Sequence, residues 1–395
     1  MNNFININGD CWLINANYVD VINGSVKEKK NIRINDGVIS EIRDSLPENE
    51  GDVVDCSNVY LTPGLIDMHV HITWDGGNAP VRTMLEEGNY VAAIRGLANA
   101  QDSMKKGVTT IREVGSPDDT AIDISNAIRR GIVKGPNMIP AGRIIQCTGG
   151  HVPEVGIIAD TSDEIMKAIR YLKAKGAAWI KVAATGGAYG PEEIGPVLYT
   201  QEELALIVKE SHRLNMKVAA HALSEVGIRN CIDAGIDTIE HGAHIEEESL
   251  KKMVEKGLAL IPTLSVYQCL AESKGILPQN IVDKAVMVVG QQKKTFKKAV
   301  ELGVRIALGT DAGSPNYGPH PSVYKEMLAM HEYGMIAADV IRCATINAAQ
   351  LLNNHSIGVI EEGRAADMVA LKANPLEDLE AFGDIVFVLK DGNLV

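Results

Sequence analysis

Aromatic residues are scarce in this 395-residue chain, at 4% (4 Phe, 3 Trp, 10 Tyr), so few side chains mark an apolar ligand pocket. No apolar run approaches the roughly 18 residues of a membrane-spanning helix. The opening stretch, "MNNFININGDCWLINANYVD", lacks a basic segment followed by an apolar one. No secretory leader is therefore expected, and a cytoplasmic location is. None of the six cysteines (Cys11, Cys56, Cys147, Cys231, Cys269, Cys343) stands in C-x-x-C spacing. That removes a zinc-finger framework and fits reduced, buried thiols. Basic residues are outnumbered 38 to 51, and the net charge of −13 argues against nucleic acid or an anionic membrane as partner. A small-molecule substrate is the expected partner.

What is present is a change of period along the chain. "NIRINDGVISEI" alternates around Asp36-Gly37, and "IVFVLKDGNLV" around Asp391-Gly392. Both dipeptides favour the type I′ turn of a hairpin. Strand patterns at both ends point to a small β-sandwich domain assembled from residues 1–60 and 356–395, with two separate hairpins as the alternative. Residues 61–355 instead alternate short β-rich runs with helical segments. The runs are "GLIDMHVH", "GVTTIREV", "NMIPAGRII", "WIKVAAT", "KVAAHA", "TIEHG", "LALIPTL" and "VRIALGTDA". Between them, "TQEELALIVKESHRLN" opens with a capping box, Thr200 and Glu203. "TSDEIMKAIRYLKAKG" opens at a Ser/Thr cap and closes at Gly176. Eight βα units in this length predict an α/β fold, a (β/α)8 TIM barrel. A doubly wound open sheet is the alternative, although no G-x-G-x-x-G follows an early strand.

On such a barrel the active site lies at the C-terminal ends of the strands. The first run ends in His69-Val70-His71, and residues i and i+2 of a strand point the same way. Lys181 lies on the fourth run, His221 ends the fifth, His241 the sixth and Asp311 the eighth. Each has an ordinary structural reading when taken alone. Asp311 could cap a turn, and Lys181 could be a surface lysine. Together they place four imidazoles, an amine and a carboxylate at one mouth. Imidazole suits zinc and neighbouring divalent ions, and two such ions need an anion between them. A neutral lysine amine can add CO₂ to become a carbamate, which supplies that anion. Asp311 can ligate one ion and accept a proton from an activated water.

These residues resemble the amidohydrolase superfamily. "LTPGLIDMHVHI", "WIKVAATGG", "KVAAHALSEVGI", "GIDTIEHG" and "ALGTDAG" look like its successive metal-site signatures. "GVTTIREVG" and "ATINAAQLL…IGVIEEGRAADMVAL" extend the likeness over nearly the whole chain. The resemblance implies a barrel with a flanking β-sandwich and hydrolysis at a centre of two divalent ions, usually zinc. It places His69, His71 and Asp311 on one ion and His221 and His241 on the other, bridged by the carbamate of Lys181. Homo-oligomers are common in the family. The bridging lysine is similar to that of the Xaa-Pro dipeptidase-like and arginine/lysine carboxypeptidase-like branch, also labelled imidazolonepropionase-like. That branch places a substrate-facing histidine in "CTGGH", here His151. Tyr189, after "ATGG", would bind a substrate carboxylate or polarise a carbonyl.

"GGHVPEVG" departs from the branch, whose members often carry an acidic residue directly after "GGHC". His320, beyond the eighth strand, is a further substrate contact or else a solvent-facing loop histidine. Arg112 reads as a structural partner for a carboxylate inside the barrel; His212, His244, His331 and His355 read as structural. The resulting expectation is hydrolysis of an amide C–N bond in a dipeptide or N-acyl amino acid by a metal-activated hydroxide, with Asp311 as general base and acid. A dipeptide also demands a cation for its carboxylate, and no arginine on the strand-end loops stands out. Hydrolysis of a cyclic amide is the alternative, and a non-catalytic barrel scaffold the remote one.

Overall fold

The computed structural model describes residues 10–46, 51–190, 192–318, 320 and 323–395. The first nine residues of the opening stretch read for a leader lie outside the described residues. The chain divides into two compact units. One comprises Met1–Asp67, Gln101–Thr110 and Ser322–Val395, the other Met68–Ala100 and Ile111–Pro321.

The first unit carries one eight-stranded sheet drawn from both chain ends. Cys11–Asp20 pairs antiparallel with Ser25–Asn35, which turns back into Val38–Arg43. The turn is Asp36-Gly37, with φ of 49° and 75°, so both residues adopt the positive φ of a type I′ turn. Asp391 and Gly392, at 49° and 71°, repeat it between Ile385–Lys390 and Asn393–Leu394. The two ends meet where Met368–Leu371 pairs with Tyr60–Pro63. Ile32, Ile34 and Ile39 from one end of the strand order share a core with Met368, Phe387 and Leu389 from the other. The sheet therefore curls over a single apolar interior.

In the second unit the helices follow their local signals. Ser162–Lys175 begins with a capping box between Thr161 and Glu164 and ends at Gly176 with φ 107°. Its buried residues Ile165, Ala168, Ile169 and Leu172 recur at helical spacing. Gln201–Arg213 opens with the Thr200–Glu203 box. Such a cap stabilises a helix by about 1 kcal/mol.

Strands such as Leu65–Val70, Val108–Glu113 and Trp179–Ala183 are buried along their length, as parallel strands covered on both faces must be. All eight sequence runs contain strand, the third splitting into Asn137–Pro140 and Ile144–Gln146. Leu65–Val70, Val108–Glu113 and Asn137–Pro140 form one ladder. Ile144–Gln146, Trp179–Ala183, Lys217–Ala222, Thr238–His241, Ala259–Ile261 and Arg305–Ile306 follow one another in a second. Gly156–Ile158 pairs parallel with Ile144–Gln146 in a stretch that carried no strand signal. Backbone bonds from Met68 N to Leu308 O (2.9 Å) and from Asp311 N to His69 O (2.7 Å) tie the first strand to the segment that follows Arg305–Ile306. Among the described residues, no helix is long and apolar enough to cross a membrane.

Candidate metal centre

Every residue expected to hold metal reaches one small cavity of about 20 Å³ in the second unit, bordered by His69, His71, Lys181, His221, His241 and Asp311. His151 and Tyr189 border it too. His241 and Asp311 sit at φ 69° and 60°, a left-handed conformation uncommon for such residues. Backbone strain of this kind persists where surrounding structure enforces it, often at functional sites.

The imidazoles are held from behind. His69 Nδ1 lies 2.7 Å from Glu240 Oε2, His71 Nδ1 2.9 Å from Gly115 O, and His241 Nδ1 2.7 Å from Thr263 Oγ1. Donation from each Nδ1 leaves Nε2 with its lone pair, the arrangement of a ligating histidine. His221 is reversed: its Nε2 faces Gly186 O at 3.2 Å, which leaves Nδ1. Burial, aided by the charge of Lys181, pushes the pKa of His69 well below its ordinary value, and burial does the same to His221 and His241. These rings are therefore neutral and able to ligate.

Glu240 joins the histidine layer to Arg112. The guanidinium Nη2 lies 2.8 Å from both carboxylate oxygens, Nε donates to Met68 O at 2.6 Å, and the Trp179 ring lies 4.5 Å from the guanidinium carbon. The structural reading of Arg112 holds, with His69 as the element it braces through Glu240.

The donor set fits divalent ions. Ligands about 2.0–2.2 Å from one ion stand about 3.3–3.6 Å apart around a tetrahedron. Asp311 Oδ1 is 3.5 Å from His69 Nε2 and 3.3 Å from His71 Nε2. His241 also brings a donor atom within 4.8 Å of those of His69 and Asp311. Lys181 is 2% exposed, and among the described residues its Nζ has no hydrogen-bond partner. Burial lowers its pKa to about 8 despite the nearby carboxylates Glu240 and Asp311. An unpaired buried amine is costly, and it faces the histidines in the cavity they share.

Asp311 is tightly held on its other side. Tyr189 Oη donates to Oδ2 at 2.5 Å and lies 2.8 Å from Ser314 Oγ. Burial opposes ionisation of Asp311, but His69, His71 and Tyr189 outweigh it and bring the carboxyl to about 2. Tyr189 thus contacts the proposed proton carrier, a role its position in the sequence did not indicate. His151 stacks on His221 with ring centroids 4.4 Å apart, and its Nδ1 lies 2.6 Å from Glu192 Oε1. A Cβ on Gly187 would come within 2.2 Å of the His151 ring, which accounts for the second glycine of "ATGG". His320 is buried rather than solvent-facing, and it is not among the described residues that border this cavity.

Several residues around the cavity escaped sequence reasoning. Glu240 adjoins His241 and was hidden by it. Glu113 is fully buried at the end of the second strand, where burial pushes its carboxyl well above the usual range. Trp74 stacks on His71 at 4.2 Å and 12°. A second cavity, of about 520 Å³, shares Trp74, Val152 and Tyr189 with the first. Arg82 borders it, a cation that came from the helix after the first strand rather than from a strand end.

The amidohydrolase family model matches residues 60–395. The crystal structure of a Xaa-Pro dipeptidase with methionine bound in its active site superposes with a TM-score of 0.89 at 32% identity, covering 98% of this chain and 99% of that one. Ochratoxinase of Aspergillus niger is 29% identical over 368 residues, covering 85% of this chain and 75% of its own. Imidazolonepropionase of Clostridium tetani is 25% identical over 421 residues, covering 95% and 93%. The chain belongs to the amidohydrolase family, typically dependent on divalent metal, and is a hydrolase acting on carbon–nitrogen bonds.

Proposed function

We propose that this enzyme hydrolyses the amide bond of a dipeptide or N-acyl amino acid at a centre of two divalent ions, zinc first among them. The observation that carries the reading is the buried, unpartnered Nζ of Lys181 amid the histidines and Asp311. In its neutral form this amine adds CO₂ and loses a proton, and the carbamate supplies the anion that two neighbouring cations need. His69, His71 and Asp311 would hold one ion, and His221 and His241 the other. When bound, the ions supply a Lewis acid for the carbonyl oxygen and lower the pKa of water. We further read the eight strands as a closed (β/α)8 barrel, supported by the backbone bonds between its first strand and the segment following its last.

The chain's own groups handle the proton. Asp311 takes one from the attacking water and delivers it to the leaving nitrogen. Tyr189 fixes the Asp311 carboxylate through Oδ2 while the two histidines face Oδ1. His151, oriented through Nδ1 by Glu192, leaves Nε2 for the substrate. Arg82, on the wall of the outer cavity, gives the substrate carboxylate a cation. Its ion pair with Glu86 is exposed, so exchanging partners costs little. Likeness to a Xaa-Pro dipeptidase and to an ochratoxinase supports this reading.

A panel of dipeptides and N-acyl amino acids, assayed beside hydantoins, lactones and imidazolones, tests the proposal. Turnover of linear amides is expected. Turnover confined to the cyclic compounds would overturn it in favour of a cyclic-amide hydrolase.

A further inference from the structure

The cavity at the ligands is too small for a substrate: about 20 Å³ is little more than the room one water needs. Whatever part of the amide lies beyond the reacting carbon must occupy the space outside it. That space is the outer cavity of about 520 Å³, within the range that encloses drug-sized molecules. Trp74, Val152 and Tyr189 border both cavities and so form the passage between them.

The chemistry of the outer wall is uneven. Pro80, Val81, Leu85, Pro278 and Ile281 make most of it apolar. Its described carboxylates are Glu154 and Glu192. Glu192 Oε1 lies 2.6 Å from His151 Nδ1, and burial, which opposes ionisation of the Glu192 carboxyl, is outweighed there by hydrogen bonding. Arg82 is the one lysine or arginine among the described lining residues, and its partner Glu86 stands on the same helix. Such a wall gains from covering apolar surface and has one cation for one carboxylate. A second negative charge would face Glu154 and Glu192.

We propose that the outer cavity selects amides carrying a bulky, apolar, uncharged group of naphthyl or medium-chain acyl size, over short groups and over groups bearing an additional carboxylate. This deepens the amide-hydrolase reading and rests on it. Each methylene newly buried is worth about fourfold in binding. The preference therefore grows steeply along a homologous series.

Two matched panels measure it through kcat/KM. One varies the acyl group on glycine (acetyl, butyryl, octanoyl, 2-naphthoyl, succinyl); the other keeps acetyl and varies the amino acid (glycine, phenylalanine, tryptophan). In at least one panel kcat/KM should rise about a hundredfold from the smallest to the largest apolar member. N-succinylglycine should fall below its butyryl counterpart, and Glu154→Gln should narrow that gap. Flat panels among amides that are hydrolysed would overturn the selectivity while leaving the enzymatic reading intact. Binding of 2-naphthoylglycine, followed by tryptophan fluorescence, gives a readout independent of turnover. Leu85→Asp, at a position 51% exposed and so tolerant of charge, should weaken that binding at least tenfold without lowering Tm. Unchanged binding in Leu85→Asp would also overturn the cavity assignment. If nothing is hydrolysed yet naphthoylglycine binds and Leu85→Asp abolishes binding, the amide-hydrolase reading fails and the cavity assignment stands.

Discussion

Two buried lysines, one in each unit, show how differently the same side chain can be used. Lys390, in the terminal sheet, lies 3.3 Å from Asp367 Oδ1 and 2.7 Å from Asp391 Oδ2. Asp367 Oδ1 also accepts the Asp391 backbone N–H at 2.7 Å. That charge is matched locally, as a buried cation serving the fold requires. Lys181 is buried more deeply and has no hydrogen-bond partner among the described residues. Its surroundings are histidines that burial keeps neutral and carboxylates engaged elsewhere or buried: Glu240 by Arg112 and His69, Asp311 by Tyr189, and the buried Glu113. A lysine left in that state destabilises the fold unless chemistry or a ligand completes it. The contrast sets an ion-paired lysine in the terminal sheet against a buried lysine whose Nζ has no hydrogen-bond partner among the described residues.

The sharpest way to break the contrast is to remove each amine. Lys181→Ala should lower kcat/KM by about 10³-fold or more, roughly 4 kcal/mol of transition-state stabilisation. Its circular dichroism spectrum should stay that of the wild type, and a small carboxylic acid added to the variant should restore part of the activity. Asp311→Asn, which keeps the shape but loses the proton acceptor, should cost about 10²–10⁴-fold in kcat. Tyr189→Phe frees Asp311 Oδ2 and should cost about tenfold, mostly in kcat and with a shifted acid limb of the pH profile. Were the loss to fall wholly on KM, Tyr189 would instead be a binding group for the substrate carboxylate.

Lys390→Met should leave activity and metal content unchanged and act on stability alone. Removing one partner of a buried pair costs about 3–5 kcal/mol. Its pH dependence follows from Asp367, whose pKa burial raises above the ordinary 3.8 even beside Lys390. The folded state then binds that proton more tightly than the unfolded chain. Asp367 therefore costs stability as pH rises from about 3.8 through its raised value, and the cost is absent below. The deficit of Lys390→Met, read from denaturant midpoints, should shrink as pH falls through this window. A deficit that grows on acidification would refute the assignment of Asp367 as the group left unpaired.

The sequence made the proposed ligands legible because they stand on short strands or just after them, where chain order and spatial convergence coincide. The period-2 rule put His69 and His71 on one side, and the paired glycine turns marked the terminal sheet. What stayed hidden depends on distant segments meeting. Glu192 and His151 are 41 residues apart, and the outer cavity joins Trp74, Val152 and Ile281. Tyr189 was found, but its contact with Asp311 spans 122 residues and has no local signature. Gly156–Ile158 was missed because three residues beside a proline-containing turn carry too short a pattern to read.

Metal stoichiometry tests the central claim most directly. Protein stripped with a chelator and titrated with zinc, manganese or cobalt should regain hydrolytic activity as the bound metal approaches about two ions per chain. Under the same titration Lys181→Ala should bind fewer ions and stay inactive. Full activity without stoichiometric metal, or a Lys181→Ala variant equal to the wild type in metal content and rate, would contradict the account.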